Sequence, residues 1–529
     1  MEATARVKRL TLVACVLGSS IALVDSTVVN VALPAIDRDL GGGLAAQQWI
    51  GGAYLLTLGS LILVGGSLAD LLGERRVFAL GVSLFGVTSL LCAVAPSVEL
   101  LVAGRALQGI AGALLTPSAL AVIIATFPED ERGPAIGSWT AWGGIATIIG
   151  PLFGGELLSF ASWRFIFLIN LPLVAITLAL VLAVVPGRER DPDRHVDLPG
   201  AVLCALGLAG PVFALIEQPR LGWSSAGVVG PLIAGALLLG AFLAWERRSS
   251  DPMLPLELFR KRNFAVGNVE TLAVYGGLSV LFFLLVLYLQ QVAGFSALKA
   301  GLATVPTTIV MFALSKRFGA LADRFGPRFF MGVGPVIAAL GIVLLMRIPA
   351  HIHYFVDLVP ALVVFALGLS MTVAPLTATV LAGVETHQAG IGSAVNNAIA
   401  RIAGLVGTAA IGAIVAAQFS STFDSRIAGR PLDPPTRAVI AAAKRQPLGV
   451  PTARGVPPAE AVVLRHDAAE ASRSAFRFGL GIAAGLVALG GVLGAVGIEN
   501  PRRRVRAADC AGGQLVAVSR DAAGCPELA

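Results

Sequence analysis

Apolar runs of 19 or more residues, separated by short bursts of charge, recur along the whole chain. They fall near residues 10–36, 47–70, 77–95, 98–126, 134–160, 164–186, 198–217, 226–245, 264–289, 297–318, 328–348, 355–382, 388–418 and 473–497. Each can cross a hydrocarbon core of about 30 Å as an α-helix. The pattern therefore predicts about fourteen transmembrane helices in an all-α polytopic membrane protein. The first run far exceeds the roughly 7–15 apolar residues of a signal-peptide core, and further spans follow it, so it reads as a span. The longest polar stretches, 419–472 and the last thirty residues, leave no soluble domain to expect.

Composition agrees. Of 529 residues, 56% are hydrophobic and 13% charged, where soluble domains carry about a quarter. The net charge of +7 does not point to nucleic acid, because the basic residues gather at the ends of the runs. Arg6, Lys8 and Arg9 precede span 1, and Arg75 and Arg76 follow span 2. Arg188, Arg190 and Arg194 follow span 6, and Arg247, Arg248, Arg260, Lys261 and Arg262 follow span 8. Arg324 and Arg328 follow span 10; Arg502, Arg503, Arg504 and Arg506 follow span 14. All fall on one side if both termini are cytoplasmic, as the positive-inside rule asks of a plasma-membrane protein. The acidic turn PEDERG, 128–133, departs from the pattern, and the basic stretch 419–472 would be an external loop, but acids weigh little and long loops translocate regardless of charge.

Two turns repeat. GSLADLLGERR, 66–76, follows span 2, and GALADRFGPR, 319–328, follows span 10. They align Gly66 with Gly319, Asp70 with Asp323, Gly73 with Gly326 and Arg75 with Arg328. A match at equivalent places in two blocks of six spans signals duplication, as in many transporters. The expected plan is a six-helix half over 1–196, two inserted helices and a cytoplasmic linker over 197–263, a second half over 264–497 containing the external loop, and a disordered cytoplasmic tail over 498–529. Glycine permits a tight reversal with positive φ, and an aspartate at a helix end can pair with a helix N-terminus or an arginine in one state only. A plain solvated turn is the alternative for either copy alone.

Polar groups inside the runs are the candidate chemistry. LVDSTVVNVALP, 23–34, puts Asp25 and Asn30 in span 1, although an unpaired acid in hydrocarbon costs at least about 2.5–3.5 kcal/mol. At 1.5 Å per residue, Asp25 lies about 22 Å from the inner face, and Arg105 in span 4 and Arg401 in span 13 each about 20 Å from it. One carboxylate and two guanidiniums share a layer. Asp25 then reads as a proton-binding carboxylate loaded and released by motion between environments, or as a static ion pair; either arginine can also serve in packing. Glu270, about 9 Å into span 9, reads equally as a second carboxylate for a proton or cationic substrate and as a snorkelling end residue. Glu156 falls at the outer interface. In span 5, GPLFGG, 150–155, combines the helix-bending Pro151 with a Gly150–Gly154 close-packing face, which suits a pivot or plain packing.

The other reactive residues suggest no site. Cys15, Cys92 and Cys204 lie within spans and Cys510 and Cys525 in the tail, with no zinc-ligand spacing. His195, His351, His353, His387 and His466 lie in connecting segments, and the chain lacks HExxH and GxSxG, which argues against an enzyme. A sensor would be expected to carry a signalling domain.

Together these stretches resemble the major facilitator superfamily, and within it the fourteen-helix drug:proton antiporters of the EmrB/QacA group, over nearly the whole chain. LVDSTVVNVALP is similar to the group's first-helix motif, which implies that Asp25 binds the coupling proton. RALQGIAGA, 105–113, resembles the fourth-helix motif through Arg105, Gln108, Gly109 and Gly112. GPLFGG resembles the fifth-helix antiporter motif through Gly150, Pro151, Gly154 and Gly155, a motif associated with exporters. SWRFIFLINLP, 162–172, and NNAIARIAG, 396–404, are also similar to the group. Departures are Leu71 and Glu74, where the turn motif is basic, and Ala146 in place of a glycine; the second turn keeps its basic residue as Arg324. The resemblance implies proton-driven export of small amphipathic organic compounds without a cofactor, by a monomer whose partners are substrate, protons and lipid. Asn30, Gln108, Glu270 and Arg401 are further candidates for substrate binding or coupling. The rival is a dedicated exporter or importer of one endogenous metabolite on the same fold.

Overall fold

The structure, a computed structural model, describes residues 4–187, 196–349, 352–382, 384, 389–430, 433–449, 451 and 455–500. Arg188, Arg190, Arg194, His195, His351, His387, the 502–506 arginines, Cys510 and Cys525 lie outside them, as does the tail beyond residue 500. Among the described residues the chain is helical, without strands. The helices are α1 Ala5–Leu40, α2 Gly43–Leu72, α3 Glu74–Ala93, α4 Val98–Thr126, α5 Glu129–Phe160, α6 Phe165–Leu168, α7 Asn170–Val184, α8 Leu198–Leu221 and α9 Ala226–Glu246. They continue as α10 Arg262–Leu287, α11 Ala297–Ala303, α12 Val305–Phe325, α13 Pro327–Leu345, α14 Val359–Ala382, α15 Ala389–Ile427, α16 Pro434–Arg445 and α17 Pro458–Gly497. Among the described residues fourteen spans result, α6 with α7 forming the sixth and α11 with α12 the tenth. Several helices start on side-chain caps: Ser97 Oγ accepts from Leu100 N at 3.4 Å, Asp197 Oδ1 from Gly200 N at 2.9 Å, and Ser296 Oγ from Lys299 N at 3.2 Å. Each cap satisfies a donor the helix start leaves unpaired.

Packing repeats between the halves. α1 packs on α5 and α7 as α10 packs on α15 and α17. Likewise α2 and α3 pack on α4 as α12 and α13 pack on α14, and α3 meets α7 as α13 meets α17. The turns repeat in backbone detail: Gly73 has φ 90° and Gly326 φ 92°, a region closed to most side chains. The halves meet along two equivalent seams, α2 with α15 and α5 with α11. Taking the face where α1 begins as the near face, both seams lie between mid-depth and the far face. Gln48 Nε2 donates to Thr408 and Ala409 carbonyls on one seam, and Gly155 sits against the Leu298 backbone on the other.

The inserted α8 and α9 form a hairpin held close by glycines: side chains at Gly210 or Gly235 would collide with the partner helix. It lies over the α2–α15 seam, where Trp49 Nε1 donates to Glu217 Oε1 at 3.2 Å and Val212 and Ile216 join Leu405 and Ala409 in one apolar cluster.

Two connections differ from expectation. The PEDERG turn is the start of α5, because Pro128 is the N-cap position and helix runs from Glu129; Lys8 Nζ pairs with Glu131 at 2.8 Å. The stretch 419–472, read as a loop for its polarity, is mostly helix. α15 runs to Ile427 and α17 starts at Pro458, because Phe419, Phe423 and Ile427 recur every fourth residue and pack with Leu464, Ala468 and Ala471 in the same core. Between them α16 starts on an Asp433 cap, whose bonds from Thr436 hold that exposed carboxyl below its usual range. α16 ends against the α1–α2 turn, where Gln446 Nε2 donates to Asp37 Oδ2 at 3.1 Å.

Candidate functional site

Asp25 sits in the middle of the N-terminal half, 1% exposed. Its Oδ2 accepts from Arg105 Nη1 at 2.5 Å. Its Oδ1 accepts from Gln108 Nε2 at 3.0 Å and Asn170 Nδ2 at 3.1 Å. Arg105, also 1% exposed, donates from Nε to the Ile50 carbonyl at 3.1 Å and from Nη1 to Gln108 Oε1 at 2.6 Å. Its guanidinium lies 4.4 Å from the Tyr54 ring centroid, a cation–π contact. Ser89 Oγ accepts from both Gln108 and Asn170, at 2.8 and 3.2 Å. Spans 4 and 6 thus bond the carboxylate of span 1 directly, and spans 2 and 3 supply acceptors to those donors. Taking two charges out of water costs several kcal/mol each, which attraction offsets only where the remaining donors and acceptors are filled; here they largely are.

Local sequence explains the placement. Asp25, Arg105 and Gln108 lie at mid-helix, and the i,i+3 spacing of the last two puts both on one face of α4. Asn170 is delivered by the break between α6 and α7, with Pro172 in the first turn of α7 where its missing N–H is harmless. Sequence reasoning missed Asn170 and Ser89. Asn170 carried a signal, an amide in an apolar run just before Leu-Pro; Ser89 carried none.

The other expected residues separate from this cluster. Asn30 is exposed, because five residues turn it about 140° from Asp25. Arg401 does not join the pair: it is half-buried in α15 and has no ion pair or hydrogen bond among the described residues. It lines a cavity of about 330 Å³ together with Leu55, Tyr275, Asn396 and Asn397, between mid-depth and the near face. Glu270 is fully buried, on a face of α10 turned away from that cavity. Glu156 is exposed.

The turns hold helix ends. Arg75 Nη2 donates to the Leu182 carbonyl of α7 at 2.6 Å, and Arg328 Nε to the Ala495 carbonyl of α17 at 2.5 Å. In each half the motif arginine thus meets the C-terminal turn of the half's last helix, where the helix dipole favours a cation. Asp70 and Asp323 are both exposed, and Arg324 lies over the Phe325 ring at 5.4 Å. A Cβ built at Gly66 or Gly319 would meet Pro117 or Ala374 only at ordinary contact distance.

GPLFGG lies between the halves. A side chain at Gly150 would strike Thr27, and one at Gly154 would come within 2.6 Å of Val28 Cγ1, both on α1. Gly155 faces α11 of the other half, and the Pro151 carbonyl lies 2.8 Å from a Cβ built at Gly301. The helix carrying Asp25 therefore packs directly on the helix that touches the opposite half.

Two parallel six-helix halves meeting on paired seams around a cavity define a secondary transporter. The chain belongs to the Major Facilitator Superfamily, whose family model matches residues 15–408. It is 34% identical over 437 residues to the multidrug resistance protein Stp of Mycobacterium tuberculosis, covering 82% of this chain and 81% of that one. It is 33% identical over 487 residues to the tetracenomycin C resistance and export protein of Streptomyces glaucescens, covering 90% and 89%. In fold it resembles a crystal structure of a bacterial homologue of the human lysosomal transporter Spinster in an inward-facing, unoccupied conformation. That match has a TM-score of 0.61 at 18% identity, over 94% of this chain and all of that one.

Proposed function

We propose that this protein exports small amphipathic organic compounds across the cell membrane in exchange for protons, by alternating access. The observation that carries the proposal is the sealed Asp25–Arg105 pair, on a helix packed against the inter-half helix α5. A carboxylate that exchanges a proton for its arginine partner changes the charge of α1, and α1 transmits the change to α5 and the seam. The relatives named for drug resistance and export support the direction of transport. Both termini are assigned to the cytoplasm by the arginine asymmetry, which makes the near face cytoplasmic and this conformation open inward. The protein acts as a monomer, needs no cofactor and is not an enzyme. The cavity beside Arg401, Asn396 and Asn397 is the substrate site, its apolar walls suited to amphipathic compounds.

The test is drug efflux from inverted vesicles under an imposed pH gradient. Asp25→Asn should insert and fold yet lose proton-coupled efflux, and Asp25→Glu should keep part of it. Wild-type efflux by the Asn variant overturns the assignment.

A further inference from the structure

Glu270 is the strangest group in the C-terminal half. It is 0% exposed, and neither carboxyl oxygen has a hydrogen-bond partner among the described residues. The side chain enters a cleft between α10, α13 and α17 that exists because α17 is glycine there. A Cβ built at Gly494 falls 2.6 Å from Glu270 Oε2 and 2.7 Å from the Met331 carbonyl of α13, and one at Gly491 falls 2.6 Å from the Gly332 carbonyl. The space is cut to fit a carboxyl group, and among the described residues no cation pairs with one there.

The charged neighbours are all engaged elsewhere or distant. On α13, Arg328 turns to the Ala495 carbonyl and donates its backbone N–H to Asn500. On α10, Arg262 pairs with Glu499 at 2.7 Å, about two turns away. α14 carries no titratable residue, and α17 carries none between Arg477 and Glu499. Arg401 of α15 lines the cavity on the other side of α10, with Tyr275 and Ser279; those positions stand about 140° and 180° around the helix from Glu270. An ionised carboxylate without donors is untenable in such a place. The neutral acid fits.

A discharge route lies one residue away. Asn396 Nδ2 donates to Asn268 Oδ1 at 3.0 Å and to Thr271 Oγ1 at 2.8 Å, forming a polar patch on α10 that leads into the cavity. A rotation of α10 by about 100°, one residue's worth, would carry the carboxyl from the dry cleft to that patch.

We propose that Glu270 is a second proton-binding site, held protonated while α10 is packed on α13 and α17 and unloaded at the Asn268–Thr271–Asn396 patch when α10 moves. This rests on the alternating-access reading but not on Asp25 or on the direction of transport. The step forms an O–H bond on one Glu270 oxygen with a proton from cavity water before the carboxyl enters the dry cleft, and on return to the patch that bond breaks and the proton passes back to cavity water.

Infrared spectroscopy of the purified full-length protein in lipid tests it without a substrate. The wild-type minus Glu270→Gln difference spectrum at neutral pH should contain one carboxylic-acid carbonyl band. On transfer to D₂O that band should shift within seconds to minutes, as the helices exchange states. Asp25→Asn should leave it in place, so loss of the Asp25 reading would not touch the result. If Glu270→Gln fails to fold, Glu270→Asp should move the band instead of removing it. A spectrum with no acid band shows an ionised glutamate and overturns the proposal. So does a band that resists deuterium for hours, since it marks a static acid.

Discussion

At Asp25, three donors converge on a carboxylate that water does not reach. The donors are unequal in what the chain reveals of them. Asp25 and Arg105 can be found from depth along the helix, because a charge in hydrocarbon must be answered at its own level, whereas Gln108 is found only through the resemblance of RALQGIAGA to the fourth-helix motif. Asn170 reaches the cluster only through the α6–α7 break, and Asn30, close in sequence, is turned away by helical geometry. Arg401 shares the depth of the pair but lines the cavity, since depth fixes a layer and not a direction. Asn170 offers a direct check. A hydrogen bond to a charged group contributes about 1.5–3 kcal/mol, so Asn170→Ala should lower efflux at matched protein level by roughly tenfold or more if the bond counts toward turnover. Vesicle efflux measures it, and an unchanged rate would show that Gln108 and Arg105 suffice.

At the scale of elements, the duplicated turns were legible because backbone conformation demanded glycine twice, at Gly73 and Gly326. Their arginines carry a contact that sequence could not give, each holding the last turn of the final helix of its half. Arg75→Ala and Arg328→Ala should therefore each destabilise their own half by roughly 0.3–1 kcal/mol, the range for a cation at a helix C-terminus. Thermal unfolding in detergent should show a small fall in Tm for both. Arg75→Lys and Arg328→Lys should recover most of it; a fall in one half alone would break the equivalence of the turns. The stretch 419–472 was illegible for a different reason. Its helices carry charge on one side, as in the pairing of Arg430 with Asp467 at 2.7 Å and of Lys444 with Asp424 at 2.7 Å, and average polarity hides the four-residue recurrence of Phe419, Phe423 and Ile427. Periodicity, read before polarity, would have found them.

For the whole molecule the question is what keeps the halves together at the far face. The inserted hairpin lies over the α2–α15 seam, whereas the α5–α11 seam rests on close backbone approach at Gly155 and Gly301. Neighbouring glycines of one motif thus face different partners: Gly154 meets Val28 within its own half, and Gly155 meets the Leu298 backbone across the seam. Substitution should separate these roles. Gly154→Leu should crowd α1 beside the Asp25 cluster, and overpacking of this kind costs about 1–3 kcal/mol, so stability and expression should fall together with efflux. Gly155→Leu should leave the N-terminal half folded but push α11 away, because backbone cannot yield as a flexible side chain would. The population should then shift toward a far face that stays parted. Paired spin labels on α5 and α12 report that distance, and vesicle efflux reports the consequence. A lengthened distance with severe loss of efflux in Gly155→Leu, at near-normal Tm, is the expected result. Normal transport at unchanged distance would mean that the α5–α11 seam opens by another route and that the glycines serve packing alone.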